Sequence, residues 1–272
     1  PILDLNFDKE FVYIIEASSF QLEYSNFIKP YCAVILNISQ DHLDWHGTKK
    51  NYIYSKIKIF NNQTKSDIAF LNDDNLKKLY QNKNFSAKLK FIKNNPIKFK
   101  TIPNKYLQLN TNKDNVKFAY FITRLFKVNK QNFLKSLKSF NGLSHRHEIF
   151  LKLGNHTFIN DSKATSFEST KFALESNENI VWIIGGQPKK NDKININQFK
   201  KKIIKAYIIG NHTNYFKNQI NKKIKFEVSK NLKVAVNKIF KSYDKKKKVT
   251  ILFSPASASY DQFKNFVERG EK

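Results

Sequence analysis

Residues 37–47 contain the densest group of side chains that could perform chemistry, in the order Asn-Ile-Ser-Gln-Asp-His-Leu-Asp-Trp-His-Gly. They follow the apolar run 32–36, which is short and β-branched enough to be a buried strand. A second acid, Glu16, ends the apolar run 11–15. Open α/β sheets bind ligands beyond the carboxyl ends of their strands, so Glu16 and His42 are candidates for a metal or phosphate site. The plainer alternative is that both are turn or capping residues.

Three further polar segments follow predicted strands in the second half of the chain. They are Asn-Asp-Ser-Lys-Ala-Thr at 160–165, Gly-Gly-Gln-Pro-Lys-Lys at 185–190 and Ser-Pro-Ala-Ser-Ala-Ser at 254–259. The last leads into a predicted helix, whose first N–H groups and dipole favour an anion. An alternative is that these segments only supply helix caps, at Asp161, Ser166 and Ser259. Three such segments at one edge of a parallel sheet favour a cleft for a small anionic molecule.

The pattern of elements that would position these residues changes near Glu148. Before it, we predict strands over 11–15, 32–36 and 66–72, helices over 52–60, 116–126 and 132–140, and short strands and turns over 76–103. After it, strands (157–160, 180–184, 206–209, 225–228, 249–253) alternate with helices (167–176, 197–204, 213–220, 231–243, 260–269). Repeated βα units predict an α/β fold with a mainly parallel sheet and helices on both faces. We therefore expect two domains, 1–148 and 149–272.

Composition limits the classes of protein to consider. The 272 residues are 40% hydrophobic, enough for two globular cores. The net charge is +27, but the lysines are scattered among Asn, Ile, Phe and Tyr, so we expect no nucleic-acid partner. A single cysteine, Cys32, fits a reducing cytosol, and no apolar run approaches the roughly 20 residues of a membrane span. The sequence begins Pro-Ile-Leu and contains no methionine, which we interpret as a fragment.

Five segments in collinear order resemble the Mur ligases, and within that family the enzymes that add D-glutamate. They lie at 16–23 (Glu-Ala-Ser-Ser-Phe-Gln-Leu-Glu), 37–44, 142–146 (Gly-Leu-Ser-His-Arg), 160–165 and 254–266. The resemblance implies the later part of a central ATPase domain, followed by a Rossmann-like domain that binds the amino acid. No Gly-x-x-Gly-Lys-Ser/Thr sequence is present. We therefore expect the chain by itself to be inactive.

The resemblance also implies a reaction. ATP would phosphorylate the carboxylate of UDP-N-acetylmuramoyl-L-alanine, and the amine of D-glutamate would attack the acyl phosphate, in cytoplasmic peptidoglycan synthesis for cell-wall growth and division. Glu16 and His42 would bind Mg²⁺, with Lys56 carbamylated as a further ligand and two metal sites in all. Lys163 would lie beside the transferred phosphate and act with Lys56 and His42 in catalysis. The full-length protein is expected to be a monomer without a membrane partner.

Further positions match substrate sites of the family. The ATP contacts would be Asn115, Arg146 and Asp161. The D-glutamate site would comprise Thr165, Lys189, Ser259 and Phe266, with Lys189 and a helix amino terminus holding the two carboxylates. The chain departs from the family where Gln187 replaces a frequent acid, where Ser257 replaces a frequent cysteine, and where 110–111 (Asn-Thr) replace Gly-His.

Other functions remain open at this point. Another Mur ligase or an enzyme like folylpolyglutamate synthetase would share the magnesium site, although segment 254–266 favours the D-glutamate enzymes. A chain without an ATP loop could also be a non-catalytic remnant that only binds an amino acid. A basic nucleic-acid-binding protein is the last alternative.

Overall fold

The computed structural model describes residues 6, 8–38, 42–99, 102, 107–108, 112–189, 192–242 and 246–272. The chain divides into two compact units. The first comprises 1–101 and 112–135, and the second comprises 102–111 and 136–272. The boundary predicted after residue 148 falls at the first strand of the second unit and stays a prediction. Within the described ranges, every helix is too short or too polar to cross a membrane.

The first unit contains a parallel sheet in the order β1 (Cys32–Val34), β2 (Ile68–Leu71) and β3 (Lys88–Phe91). Its helices are α1 (Ser19–Tyr24), α2 (Leu43–His46), α3 (Lys49–Ile57), α4 (Asp74–Asn82) and α5 (Lys113–Leu125), and α6 (Lys130–Ser139) crosses into the second unit. All four residues of β2 are buried because helices cover both faces. Helices α3 and α4 pack on one face, and α5 packs on the other through Phe118.

The second unit is built on a larger sheet. The strand order is β4 (Glu148–Leu153), β5 (His156–Asn160), β9 (Val249–Phe253), β6 (Ile180–Gly185), β7 (Ile203–Ile209) and β8 (Phe226–Val228). Only the β4–β5 pair is antiparallel among these neighbours. Helices α7 (Phe167–Glu175) and α8 (Thr213–Ile220) pack on one face, α9 (Leu232–Ser242) packs on the other, and α10 (Phe266–Glu271) ends the chain. The predicted α/β fold with a mainly parallel sheet is confirmed.

The strand predicted over 11–15 is wrong. This segment has no regular secondary structure, and its apolar side chains are exposed, Ile14 to 93%. A strand needs a neighbour with which to exchange hydrogen bonds. In the described part of the first unit, β1 pairs with β2 alone, and residues 11–15 join no sheet.

Two helix predictions also need correction, and one helix and one strand were missed. The predicted helix 197–204 is absent, since Ile203 already begins β7 and pairs with Ile180. The predicted helix 260–269 begins only at Phe266, where Asn265 caps it by accepting a hydrogen bond from the Glu268 N–H. Helix α4, which begins at Asp74, was missed at the start of the lysine-rich segment 76–103. Strand β4 was missed because all but its first residue are exposed, so it lacks the alternation of buried and exposed residues that indicates a strand.

Candidate functional site

The structure brings Glu16, His42 and Lys56 together in the first unit. They line one cavity of about 290 Å³. The remaining lining residues are mostly small and polar: Ala17, Ser18, Ser19 and Gln21. Glu16 is exposed, whereas His42 and Lys56 are half-buried. Residues that are far apart in sequence therefore share one concave surface, even though the strand predicted before Glu16 is absent.

Short helices hold these three side chains. Glu16 precedes α1, whose amino terminus is capped by the Ser18 hydroxyl. His42 has a left-handed backbone conformation, with φ of 54°, and directly precedes α2. Lys56 lies in the last turn of α3, which Thr48 caps. The Lys56 Nζ lies 5.7 Å from the centroid of the Tyr52 ring, one turn earlier on the same helix.

A polar network that sequence reasoning missed lies next to the cavity. His46 is buried, with its Nε2 3.0 Å from the Ser19 Oγ and its Nδ1 3.3 Å from the Ser55 Oγ. The Ser55 hydroxyl donates to Glu23 Oε2 at 2.5 Å. Glu23 also pairs with Lys58 at 2.8 Å, and these hydrogen bonds hold the pKa of the Glu23 carboxyl below its usual value. In the sequence, the two consecutive serines at 18 and 19, just after Glu16, were the feature that could have indicated this network.

In the second unit, Asp161 follows β5 and is buried. Its carboxylate accepts hydrogen bonds from the Ser254 hydroxyl at 2.7 Å and from the His147 backbone N–H at 3.0 Å. Burial raises the pKa of Asp161 to about 7, although these hydrogen bonds and the Arg146 charge act in the opposite direction. Burial also lowers the pKa of the His147 imidazole to about 4. Arg146 itself is exposed.

Lys163 and Phe266 are brought together. The Lys163 ammonium lies 3.9 Å from the centroid of the Phe266 ring, which is a close cation–π contact. The Ser162 hydroxyl donates to the Phe266 carbonyl at 2.8 Å, which fixes the loop after β5 to the start of α10. Two residues assigned to different substrates by resemblance, the phosphate and D-glutamate, are therefore in direct contact.

Arg269 is a buried organising residue that the sequence did not reveal. Its guanidinium donates to the Ser162 Oγ at 3.0 Å, to the Ser162 carbonyl at 2.7 Å and to the Ser257 carbonyl at 3.0 Å. It thereby joins the loops that follow β5 and β9. Burial lowers its pKa to about 10. An arginine on a six-residue terminal helix carries no sequence signal that it is buried.

The loops after β6 and β9 also approach closely. Gly186 has φ of 133°, and a Cβ there would lie 2.3 Å from the Ala258 carbonyl oxygen, so only glycine fits. Gln187 and Ala258 exchange both backbone hydrogen bonds. Ser259 is buried but starts a single turn, not a helix, so the helix amino terminus expected there is wrong.

The remaining predicted residues are less enclosed. Thr165 is half-buried just before α7, and Lys189 is exposed in the connection between β6 and β7. Asn115 is exposed on α5 of the first unit, where its amide donates to Asn112 Oδ1 at 3.1 Å. Arg146 and Asp161, its proposed partners in binding ATP, belong to the second unit. Positions 41, 110, 111 and 190 lie outside the described residues.

The donor set of the first-unit cavity can be tested against a magnesium ion. The lining supplies one carboxylate, from Glu16, together with serine hydroxyls and the Gln21 amide. This suits a hard cation that retains several waters. Among the residues that the structure describes, no group of three His, Cys, Asp or Glu side chains could hold a metal. A complete protein ligand set would thus require an additional oxygen ligand, which Lys56 could supply only as a carbamate.

Comparison with known proteins gives consistent matches. Residues 3–138 match the Mur ligase middle domain. The chain is 31% identical to the UDP-N-acetylmuramoylalanine–D-glutamate ligase of Wolbachia pipientis wMel, covering all of this chain and 68% of that protein. It is 35% identical to the enzyme of the same name from Rickettsia prowazekii, covering 95% of this chain but only 63% of that protein. The chain thus spans about two thirds of these relatives.

Solved structures share the fold at low identity. MurF from Acinetobacter baumannii has a TM-score of 0.63 at 15% identity, covering 93% of this chain and 62% of that one. FolC from E. coli in complex with ADP has a TM-score of 0.57 at 13% identity, covering 84% of this chain and 59% of that one. These likenesses support the fold alone.

Proposed function

The chain belongs to the Mur ligase family, and from this membership we propose that it forms part of an ATP-dependent ligase that joins D-glutamate to UDP-N-acetylmuramoyl-L-alanine. The observation that carries the proposal is the cavity that Glu16, His42 and Lys56 line together. The named relatives at 31% and 35% identity support D-glutamate as the amino acid. The reaction would serve peptidoglycan synthesis in the cytoplasm, and the enzyme would act as a monomer.

Magnesium would be held by the residues of the first-unit cavity. The Glu16 carboxylate is the hard oxygen ligand that Mg²⁺ prefers, and His42 would add a nitrogen, which is a less usual ligand for this ion. Lys56 as an ammonium would repel a cation, whereas its carbamate would offer two oxygens and a negative charge. When bound, the metal neutralises charge on the phosphate that is transferred. We propose two such ions and a carbamylated Lys56.

D-Glutamate would bind at the strand-end loops of the second unit. Its two carboxylates need charged or hydrogen-bonding partners. Lys189 would pair with one of them, and the hydroxyls of Thr165 and Ser259 would hold the other. Because no helix begins at Ser259, these hydroxyls replace the helix dipole expected there. Phe266 would orient Lys163, through their 3.9 Å contact, toward the transferred phosphate.

ATP would use three polar residues. Arg146 has an exposed guanidinium that suits a phosphate group. Asp161 is fixed by Ser254 and His147, so its carboxyl is positioned before a nucleotide arrives. Asn115 is the third residue that we propose as an ATP contact. The chain contains no Gly-x-x-Gly-Lys-Ser/Thr loop to hold the remaining phosphates.

The test is a ligation assay on two proteins. One is the chain alone, and the other is a fusion that supplies the part of the Rickettsia prowazekii relative that this chain does not cover. With ATP, Mg²⁺ and UDP-N-acetylmuramoyl-L-alanine, the fusion should release phosphate when D-glutamate is added but not when L-glutamate or D-alanine is added. The chain alone should release none. Release that depends on a different amino acid would refute the proposed substrate.

A further inference from the structure

A continuous line of hydrogen bonds connects the Glu23 carboxylate with the Ser19 hydroxyl. Glu23 is ionised in its pair with Lys58, at 2.8 Å. The Ser55 Oγ lies 2.5 Å from Glu23 Oε2 and 3.0 Å from the Asn51 carbonyl oxygen. The next links are the two ring nitrogens of His46 and then Ser19, which lines the cavity with Glu16, His42 and Lys56.

The chemistry of these groups fixes where the protons lie. Both the Glu23 carboxylate and the Asn51 carbonyl can only accept, so the single Ser55 hydroxyl proton goes to one of them. The His46 Nδ1, 3.3 Å from Ser55 Oγ, therefore faces an oxygen lone pair and must carry the proton. A neutral imidazole has one N–H, which leaves Nε2 as an acceptor. In that tautomer Ser19 donates its own proton to Nε2, at 3.0 Å.

Aromatic rings hold the His46 imidazole in this orientation. Its centroid lies 4.4 Å from the Trp45 ring, 5.2 Å from Tyr52 and 5.6 Å from Phe20. His46 is 6% exposed, so water competes little for its nitrogens. Hydrogen bonds between groups removed from water gain strength from the low local dielectric. The ring is thus fixed both by its hydrogen bonds and by its packing.

We propose that Ser19 is an additional oxygen ligand for the divalent cation of this cavity and that His46 is the residue that positions it, an inference that rests on the proposed function. With its proton directed to Nε2, the Ser19 oxygen keeps its lone pairs for the cavity. Mg²⁺ prefers such oxygen donors. Partners that orient a ligand in this way commonly change metal affinity by 10- to 100-fold when they are removed. Ser19 also helps to complete a donor set that otherwise contains one carboxylate.

The first experiment measures the His46 tautomer in the 272-residue chain without metal. Long-range ¹H–¹⁵N correlation spectra at pH 7.5 distinguish protonated from unprotonated ring nitrogens, and the His46→Gln variant assigns the signals among the six histidines. We expect the proton on Nδ1. In Ser55→Ala, which removes the acceptor, this preference should weaken. A proton on Nε2 in the unmodified chain would overturn the proposed role of His46, whatever the metal does.

The second experiment titrates Mn²⁺ and follows paramagnetic broadening of the His42 signals. Ser19→Ala should weaken Mn²⁺ binding about tenfold, and His46→Phe should do the same. His46→Gln keeps a donor and an acceptor and should recover most of the affinity. Ser25→Ala is the matched control, because that hydroxyl donates to the Gln21 carbonyl outside the network.

The outcomes separate the two proposals. If the unmodified chain binds Mn²⁺ and Ser19→Ala binds it equally well, Ser19 is not a ligand, while the metal site of the proposed function stands. If Mn²⁺ does not broaden the His42 signals of the unmodified chain, the proposed metal site is wrong, and the proposed role of Ser19 is wrong with it. Spectra of each variant would show whether it is folded, and the tautomer itself is read from the unmodified chain.

Discussion

The two polar centres of this protein differ in how far the chain itself fixes their electrostatics. In the second unit, burial moves the pKa values of Asp161 to about 7, of His147 to about 4 and of Arg269 to about 10. In the first unit, Glu16 is exposed, and His42 and Lys56 are half-buried around an open cavity. The second centre is therefore prepared by folding, whereas the first depends on the ions and groups that bind there.

Packing around the strand ends explains this difference. In the second unit, Arg269 joins the loops that follow β5 and β9, and Asp161 and Arg269 are both buried there and lose contact with water. The strands of the first sheet have only three or four residues. Its cavity residues come from the segment before α1, from α1 itself, from the start of α2 and from α3. Mutations should then act through bound ligands in the first unit and through protonation and stability in the second.

The largest effect should come from Lys56→Ala in the ligase fusion. If the Lys56 carbamate holds magnesium, its loss should reduce kcat by about 10²- to 10³-fold, the usual effect of removing one electrostatic contact to the transition state. Millimolar acetate or formate should restore part of the activity, because a free carboxylate can occupy the place of the carbamate.

The matched control is Lys50→Ala on the same helix, where the ammonium contacts the Tyr54 ring at 5.7 Å outside the cavity lining. It should leave kcat unchanged. Full activity of Lys56→Ala without added acid would remove Lys56 from the mechanism and would weaken the contrast between the two units.

The next largest effect is on the pH dependence of the second unit. The pKa of Asp161 rises on folding from 3.8 to about 7, so the folded state binds more protons and its stability falls as pH rises through this range. The pKa of His147 falls from 6.5 to about 4, so the unfolded state binds more protons and stability rises with pH. Between about pH 4.5 and 6.5, the contributions of Asp161 and His147 to the free energy of unfolding oppose one another and should nearly cancel.

Single variants should expose each contribution. Asp161→Asn leaves His147, so the free energy of unfolding should rise by as much as about 3 kcal/mol from pH 4 to 6.5. His147→Gln leaves Asp161, so stability should fall over the same range. Urea unfolding followed by the fluorescence of Trp182, which is fully buried in β6, measures this unit. Parallel pH profiles for both variants would contradict the assignment of these two pKa values.

The sequence predicted the second unit better than the first. Long βα repeats with apolar strands, such as 180–184 and 249–253, correctly predicted the parallel sheet, because a strand buried on both faces is apolar throughout. Glu16 and His42 were candidates from their positions after predicted strands, Lys56 came from the resemblance, and all three line one cavity. Their roles stay predictions. The apolar run 11–15 misled because apolarity does not by itself supply a partner strand.

Residues that act through burial could not be predicted. Arg269 and His46 are polar residues on short helices, and only the tertiary packing shows that they are 1% and 6% exposed. The end of the chain was misassigned for a similar reason. The Asp261 carboxylate accepts a hydrogen bond from the Asn211 N–H at 2.9 Å, and this long-range contact keeps residues 260–265 in turns instead of a helix.

A smaller effect is expected from Lys189→Ala in the fusion. Loss of one charged partner of D-glutamate should cost about 1.5–3 kcal/mol of binding, or roughly a 10- to 150-fold higher KM for D-glutamate. The KM for ATP should change little. Lys193→Ala, an exposed lysine in the same connection between β6 and β7, is the control. If the KM for ATP rises instead, the anion at this loop is a phosphate, and the D-glutamate assignment is wrong.

The smallest effect tests whether the two units differ in ordinary helix stability. Asp73 caps α4 in the first unit by accepting a hydrogen bond from the Leu76 N–H at 2.9 Å. Asn231 does the same for α9 in the second unit, from the Val234 N–H at 3.0 Å. Replacing either residue by alanine should cost about 1 kcal/mol, because a helix N–H then loses its acceptor. The cost should be equal in both units, since neither cap depends on deep burial.

Each unit carries its own reporter for this measurement, because the two tryptophans are Trp45 in α2 and Trp182 in β6. In urea, Asp73→Ala should lower the transition seen by Trp45 and leave that of Trp182 in place, and Asn231→Ala should do the reverse. The variants Asp73→Asn and Asn231→Asp keep a capping oxygen and should cost only a few tenths of a kcal/mol. If Asp73→Ala moves both transitions together, the units unfold cooperatively. The contrast between them would then be one of chemistry alone, with a single stability shared by the whole chain.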